Sequence, residues 1–313
     1  MMLSFVFFGT PAFSVLVLDR LEQAKRRPLA VVCQPDRPQG RGRKQLDGPV
    51  KRWAEQREIE VLQPAGQKEP AFLERFREIG PDLGLVAAFG QILPRVLLQI
   101  PRLGFINVHP SLVPRYRGAA PIQWTLINGD DRGGVSILEV TPGLDDGDIL
   151  LQESLEVGRD ETAEELLDRL AGLGGRLAVR AFEGLERGGL KGTPQSEENV
   201  IWAPVLSKAD GRIDWSRPAL ALHNQIRGVQ PWPGASTQLG DKRLKIYRAQ
   251  LAPGGPREQA RPGQIVEAEA DRILVQTGDG LLQLLELQLE GRKRLDAGRF
   301  LLGQPMSSGQ VLG

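Results

Sequence analysis

In the first half of the chain, short continuous apolar runs alternate with stretches whose apolar residues recur every three or four positions. Residues 3–8, 29–34 ("LAVVCQ"), 59–63 ("IEVLQ"), 83–89 ("LGLVAAF"), 104–109 ("GFINVH") and 134–140 ("GVSILEV") read as strands. Between the first two, Phe13, Leu16, Val17 and Leu21 fall on one side of a predicted helix from about 11 to 25. Strands that are apolar throughout are buried on both faces, and strands alternating with helices build a parallel sheet with helices on either side. The pattern predicts an α/β domain with an open, mostly parallel sheet of the Rossmann-like class. In such sheets ligands bind beyond the carboxyl ends of the strands.

The pattern changes near residue 160. "TAEE" at 162–165 is a capping box, Thr at the cap and Glu three residues on, and it opens a predicted helix to about 188 with Leu166, Leu167, Leu170, Val179 and Phe182 in helical period. "RGGLKGTPQSEENV" then reads as a polar connector, and one more helix fits about 217–228. After "QPWPGAS" the chain becomes short strands of alternating pattern: "STQL", "RLKIYRAQLA", "GQIVEAEA", "RILVQTG" and "LLQLLELQLE", some separated by Gly-Asp turns. This predicts a small C-terminal β-barrel of OB-like kind. The organisation expected is an α/β domain over 1–189, a linker over 190–206 and the barrel over 207–313.

Composition narrows the function classes. The chain has 313 residues, 41% of them apolar and 25% charged, as in an ordinary globular protein with a sizeable core. A single cysteine, Cys33, excludes an internal disulfide and a cysteine metal site, and two histidines far apart in sequence leave no metal centre to expect. The opening "MMLSFVFFGTPAF" lacks a basic leader and its apolar run is short, so it reads as a first strand; no run approaches a membrane span, and a cytoplasmic location is expected. The net charge is only +1, but it is unevenly spread. Residues 207–313 carry 15 basic and 11 acidic side chains, and residues 36–52, "DRPQGRGRKQLDGPVKR", carry six basic and two acidic among glycines and prolines. The second stretch follows a strand on its carboxyl side. Its default is a solvated surface; its alternative is a contact with an anionic partner.

Candidate chemistry gathers at strand ends. In "FINVHPSLVPRYRG" Asn107 and His109 are two residues apart, on one face of an otherwise apolar strand, where an unpartnered polar group is costly. In "TPGLDDGDI" Asp145 and Asp146 follow another strand. A carboxylate paired with a His holds its tautomer and strengthens its basicity, and an Asn amide can donate to a developing oxyanion. Together these suit acyl-type transfer to an incoming amine, since no side-chain nucleophile is evident. The plain alternatives are a structural His and a solvated acidic turn. "FGTPAF" lacks the G-x-G-x-x-G of a dinucleotide turn, and His223, in a predicted helix, reads as structural.

"INVHPSLVPRYRGAAPIQW" followed by "GVSILEVTPGLDDGDIL" resembles the signature of the folate-dependent formyltransferases, Asn-x-His-x-Ser-Leu-Leu-Pro with a downstream Leu-Asp-x-Gly. Val113 stands for the usual second Leu, a conservative change. The resemblance extends over nearly the whole chain to the branch acting on methionyl-tRNA, through "FFGTPAF", "QPDRPQGRGRK", "AAFGQILP", "LSKADGRIDW" and "IRGVQPWPGAS". It implies 10-formyltetrahydrofolate as donor, the α-amino group of methionine on initiator methionyl-tRNA as acceptor, no metal, and a monomer with no membrane association. It implies Asn107, protonated His109 and Asp145 as the catalytic group. Ser111, Leu112, Val113, Pro114, Phe89, Gly90, Gln91 and Ile92 would line the folate site, and Arg41, Arg43 and Lys44 would meet tRNA, as would the basic C-terminal module. Glycinamide ribonucleotide and sugar-nucleotide formyltransferases are the rivals of the same chemistry. A non-catalytic RNA-binding module and a dinucleotide oxidoreductase are the rivals from other classes.

Overall fold

The computed structural model describes residues 2–36, 38–39, 44–45, 47–255, 257 and 259–313, the short strands Pro38–Gln39 and Lys44–Gln45 by backbone alone. The chain divides into two compact units. The first comprises Met1–Pro121, Gly133–Leu155 and Leu167–Ala203; the second comprises Ile122–Arg132, Glu156–Leu166 and Pro204–Gly313.

The first unit is built on a seven-stranded sheet in the order Ile149–Glu156, Arg132–Glu139, Phe105–His109, Leu83–Val86, Phe5–Phe8, Ala30–Val32, Glu60–Leu62. From Phe105–His109 to Glu60–Leu62 all neighbours pair in parallel; Phe105–His109 and Arg132–Glu139 pair antiparallel. The mostly parallel α/β sheet expected from the pattern is the sheet found. The pattern does not mark the Ile149–Glu156 strand because "ILLQESLE" loses its apolar character after Leu151; seven of its eight residues are exposed or only half-buried.

Alternation along the strands sorts their side chains onto two faces. Val6, Phe8, Ala30 and Val32 join Phe72, Phe76, Phe89 and Phe105 in one apolar cluster, where the Phe8 ring meets those of Phe76, Phe89 and Phe105 at 5.8, 5.4 and 5.2 Å. Phe5, of opposite parity, meets Phe182 of the Ala163–Glu186 helix at 4.9 Å. That helix begins with the capping box read from "TAEE": Glu165 N–H donates to Thr162 Oγ1 at 3.4 Å and Thr162 N–H to Glu165 Oε2 at 2.8 Å. Gly174 lets the helix close on the strand carrying the candidate residues, since a Cβ there would lie 2.6 Å from Val108 Cγ1. The helix thus braces Phe105–His109 from behind.

The expected linker, 190–206, is not a bare connector. Ile201–Ala203 pairs in parallel with Arg115–Gly118, and residues up to Ala203 belong to the first unit. In the second unit a six-stranded antiparallel sheet runs Ala235–Leu239, Lys242–Ala252, Leu281–Leu289, Arg272–Gln276, Ile265–Glu269, and Leu295–Asp296 also pairs with Leu281–Leu289. The last residues tie its two edges together: Leu312 N–H donates to Gly263 O at 2.8 Å, Ile265 N–H to Gln310 O at 2.8 Å, and Gly313 N–H to Gln238 O at 3.1 Å. The core is Trp215, Leu222, Ile226 and the inward residues of the sheet. His223 is structural here, with Nε2 3.0 Å from Asp160 Oδ1; burial, and then Arg227, push its pKa down against the opposing pull of Asp160. Among the described residues no helix is long and apolar enough to cross a membrane.

Candidate active site

At the carboxyl edge of the first unit's sheet lies a cleft of about 600 Å³, lined by segments that follow five of its strands and by residues 118–121. That size suits a drug-sized organic ligand. Asn107, His109 and Asp145 all line it.

These three side chains form one constellation. Asn107 and His109 leave the same strand two residues apart, which puts them on one face. Asn107 Nδ2 donates to Asp145 Oδ1 at 3.2 Å. The Gly118 N–H donates to Asp145 Oδ2 at 3.0 Å, and His109 Nδ1 lies 3.6 Å from the same oxygen. His109 Nε2 is 2.9 Å from the carbonyl oxygen of Tyr116. A carbonyl only accepts, so Nε2 carries the hydrogen and Nδ1 is the nitrogen that takes or gives a proton beside the carboxylate. The Tyr116 carbonyl is aimed by an unusual backbone: φ is +63° there, a region a bulky residue seldom enters. Such conformations cost of order 1–3 kcal/mol and cluster where function needs them.

Asp145 also sits at positive φ, +52°, a conformation Asp tolerates better than most residues. Gln195 holds the turn in that shape, donating through Nε2 to Asp145 O at 2.8 Å and to Gly147 O at 2.7 Å. Its own Oε1 accepts from Nε of the buried Arg117 at 3.0 Å, and Arg117 is paired with Glu197 at 3.2 Å. Gln195 thus holds the Asp145 turn from within the polar segment "RGGLKGTPQSEENV". The sequence pattern does not mark it, nor does it mark Gly118 and the Tyr116 carbonyl, which act through the backbone.

The other expected site residues divide. Phe89, Gly90, Gln91 and Ile92 line the cleft, and Ile92 stands 75% exposed at its edge. Ser111, Leu112, Val113 and Pro114 do not line it. Ser111 and Val113 are buried, Ser111 Oγ donates to Arg115 O at 2.8 Å, and Ser136 Oγ donates to Ser111 O at 2.7 Å. Gln152 Nε2 binds Val113 O at 3.0 Å. This segment is a bonded turn that carries the chain from His109 back to the Tyr116 carbonyl. Arg41 and Arg43 lie outside the described residues, and Lys44 is described by its backbone only, in the Lys44–Gln45 strand. Both acidic residues of the basic stretch are engaged by Lys51, at 2.6 Å to Asp36 and 2.5 Å to Asp47. One ammonium thus bridges both carboxylates.

Residues 2–182 match the family model described as formyl transferase, and residues 205–305 match its C-terminal domain. The chain is 48% identical over 308 residues to a protein of Citrifermentans bemidjiense named methionyl-tRNA formyltransferase, covering 98% of this chain and 96% of that one. Among solved structures, an N-formyltransferase from Helicobacter canadensis in complex with folinic acid and dTDP-3-aminofucose superposes with a TM-score of 0.67 at 17% identity, over 90% of this chain and 99% of that one. HypX from Aquifex aeolicus in complex with tetrahydrofolic acid superposes with a TM-score of 0.64 at 18% identity, over 100% of this chain and 51% of that one. These two likenesses show a shared fold.

Proposed function

The chain belongs to the formyl transferase family, and from that premise we propose that it transfers the formyl group of 10-formyltetrahydrofolate to the α-amino group of methionine on initiator methionyl-tRNA. The observation that carries the chemistry is Asp145 set between Asn107 Nδ2 at 3.2 Å and His109 Nδ1 at 3.6 Å, in a cleft of about 600 Å³. The name and near-complete coverage of the relatives support the acceptor.

The transfer forms a bond from the amine nitrogen to the formyl carbon and breaks the bond from that carbon to the donor's nitrogen. One proton leaves the amine and one is taken up by the departing nitrogen, so the exchange balances. Negative charge develops on the formyl oxygen between those steps. Asn107 gives one amide hydrogen to Asp145 and has a second to offer that oxygen. Preorganised donors of this kind are worth most where water is excluded. His109, with Nε2 committed to Tyr116 O, moves the proton at Nδ1, and Asp145 stabilises the ring while it is charged. Asp145 cannot swing away, because Asn107, Gly118 and Gln195 hold its side chain and backbone.

The cleft fits a bicyclic donor with an extended tail. It combines apolar walls, including Phe89, Leu138 and Val140, with the polar side chains of Gln91, Glu139 and Asp146. The basic stretch 36–52, with Arg41 foremost and Arg43 and Lys44 beside it, meets the acceptor end of the tRNA, and the basic C-terminal unit contacts phosphates without reading much sequence. The match of residues 205–305 favours this acceptor over glycinamide ribonucleotide. The deciding experiment supplies 10-formyltetrahydrofolate with charged initiator methionyl-tRNA and measures formylmethionyl product. Product is expected; its absence alongside formylation of an amino sugar nucleotide would overturn the reading.

A further inference from the structure

We infer that Ala119, flanked by Pro110 and Pro121, forms the wall against which the acceptor's amino-acid side chain rests and so sets which aminoacyl group is formylated. The inference rests on the reaction proposed above. In that reaction the attacking amine must reach the formyl carbon beside Asn107, His109 and Asp145. The side chain of the same amino acid branches from the carbon bonded to that amine, about 1.5 Å away. Whatever surface borders the three residues must therefore receive it.

Three features identify that surface. Pro110 directly follows His109, and Ala119 directly follows Gly118, whose N–H holds Asp145 Oδ2 at 3.0 Å. Adjacent Cα atoms are about 3.8 Å apart, so the Ala119 methyl lies within a side chain's reach of the reacting atoms. Ala119 is exposed while lining the cleft, and Pro110 and Pro121 line it too. None of the three side chains carries a polar atom. The charged lining groups Glu139, Asp145 and Asp146 come instead from the end of the Arg132–Glu139 strand and the turn after it. An unbranched apolar side chain suits the Pro110, Ala119 and Pro121 surface, and a charged one would lose its hydration there with nothing in return.

The wall is also fixed. Ala119 N–H and Ala120 N–H both donate to Ala203 O, at 2.8 and 3.1 Å, and Ala203 ends the strand paired with Arg115–Gly118. Gly118 permits this approach: its φ is +124°, and a Cβ there would lie 2.7 Å from Ala203 O. With its own N–H and the next one both on the Ala203 carbonyl, residue 119 cannot retreat to admit a larger group. Its side chain therefore decides the room available.

The test compares wild type, Ala119→Leu and Ala119→Gly, each full length, on initiator tRNA charged with methionine, alanine or phenylalanine. kcat/KM is measured for each aminoacyl group, with the folate dissociation constant and Tm alongside. Pockets discriminate apolar side chains by about 10–200-fold per methylene-sized change. Ala119→Leu should lower the methionine-to-alanine ratio by about tenfold or more. Ala119→Gly should raise the phenylalanine-to-methionine ratio, and since it removes only an exposed methyl it gives a readout even if the Leu variant folds poorly. Equal change for every aminoacyl group in both variants would overturn the assignment while leaving the formylation reading intact. A wild-type protein that formylates none of the three would overturn the formylation reading itself.

Discussion

His109 is held from two sides, by the Tyr116 carbonyl 2.9 Å from Nε2 and by Asp145 Oδ2 3.6 Å from Nδ1. A ring fixed at Nε2 leaves Nδ1 as the nitrogen that faces the carboxylate, and in the reaction proposed above it is the one that moves the proton. Proton transfer by a positioned side chain is typically worth about 10²–10⁴-fold. His109→Ala and Asp145→Ala should each lower kcat by a factor in that range, with tRNA affinity little changed. The double variant should lose little more than the worse single, because groups working as one unit are not additive. Steady-state kinetics on all three variants checks this, and either single with near-normal turnover would remove that residue from the mechanism.

At the scale of elements, the turn carrying Asp145 is shaped from a segment fifty residues downstream. Gln195 supplies two hydrogen bonds to carbonyls of that turn and receives one from Arg117. Gln195→Ala leaves those groups without partners, and each unpartnered buried polar group costs about 1–3 kcal/mol. The expected outcome is a fall in Tm of several degrees together with a loss of kcat of about tenfold or more. An unchanged kcat would show that the turn keeps its shape unaided. The contrast between Gln195 and Asn107 explains what could be read in advance. Asn107 and His109 interrupt an apolar strand at a spacing of two, which marks a shared face before any contact is known, and "TAEE" marks its helix start by local chemistry. Gln195 sits among other polar residues in an irregular segment, and its importance comes from where the chain has travelled, which periodicity does not record. The Ser111–Pro114 segment is legible through its signature, whereas its bonds to Arg115, Ser136 and Gln152 are not.

For the molecule as a whole, acid sensitivity follows from Glu186. The guanidinium of Arg26 bonds both its carboxylate oxygens, the Leu3 N–H adds a bond at 2.8 Å, and together they hold its pKa down to about 2. A carboxylate with a lowered folded pKa contributes stability above its unfolded value, near 4.5, and that contribution fades as pH falls toward about 2. Glu186→Gln should destabilise the protein at pH 7 and approach wild type below about pH 3; denaturant melts across that range check it, and a pH-independent difference would refute the linkage. The route of the chain has a practical corollary. Stretches 122–132 and 156–166 fold with residues 204–313, and the contacts are specific: Asp160 meets His223 at 3.0 Å, and Arg227 donates to the Gly158 carbonyl at 3.1 Å. A graft that swaps only the region after Ala203 between two relatives would set each parent's Asp160 and Gly158 against a stranger's helix, so a working hybrid must transplant three pieces of sequence together.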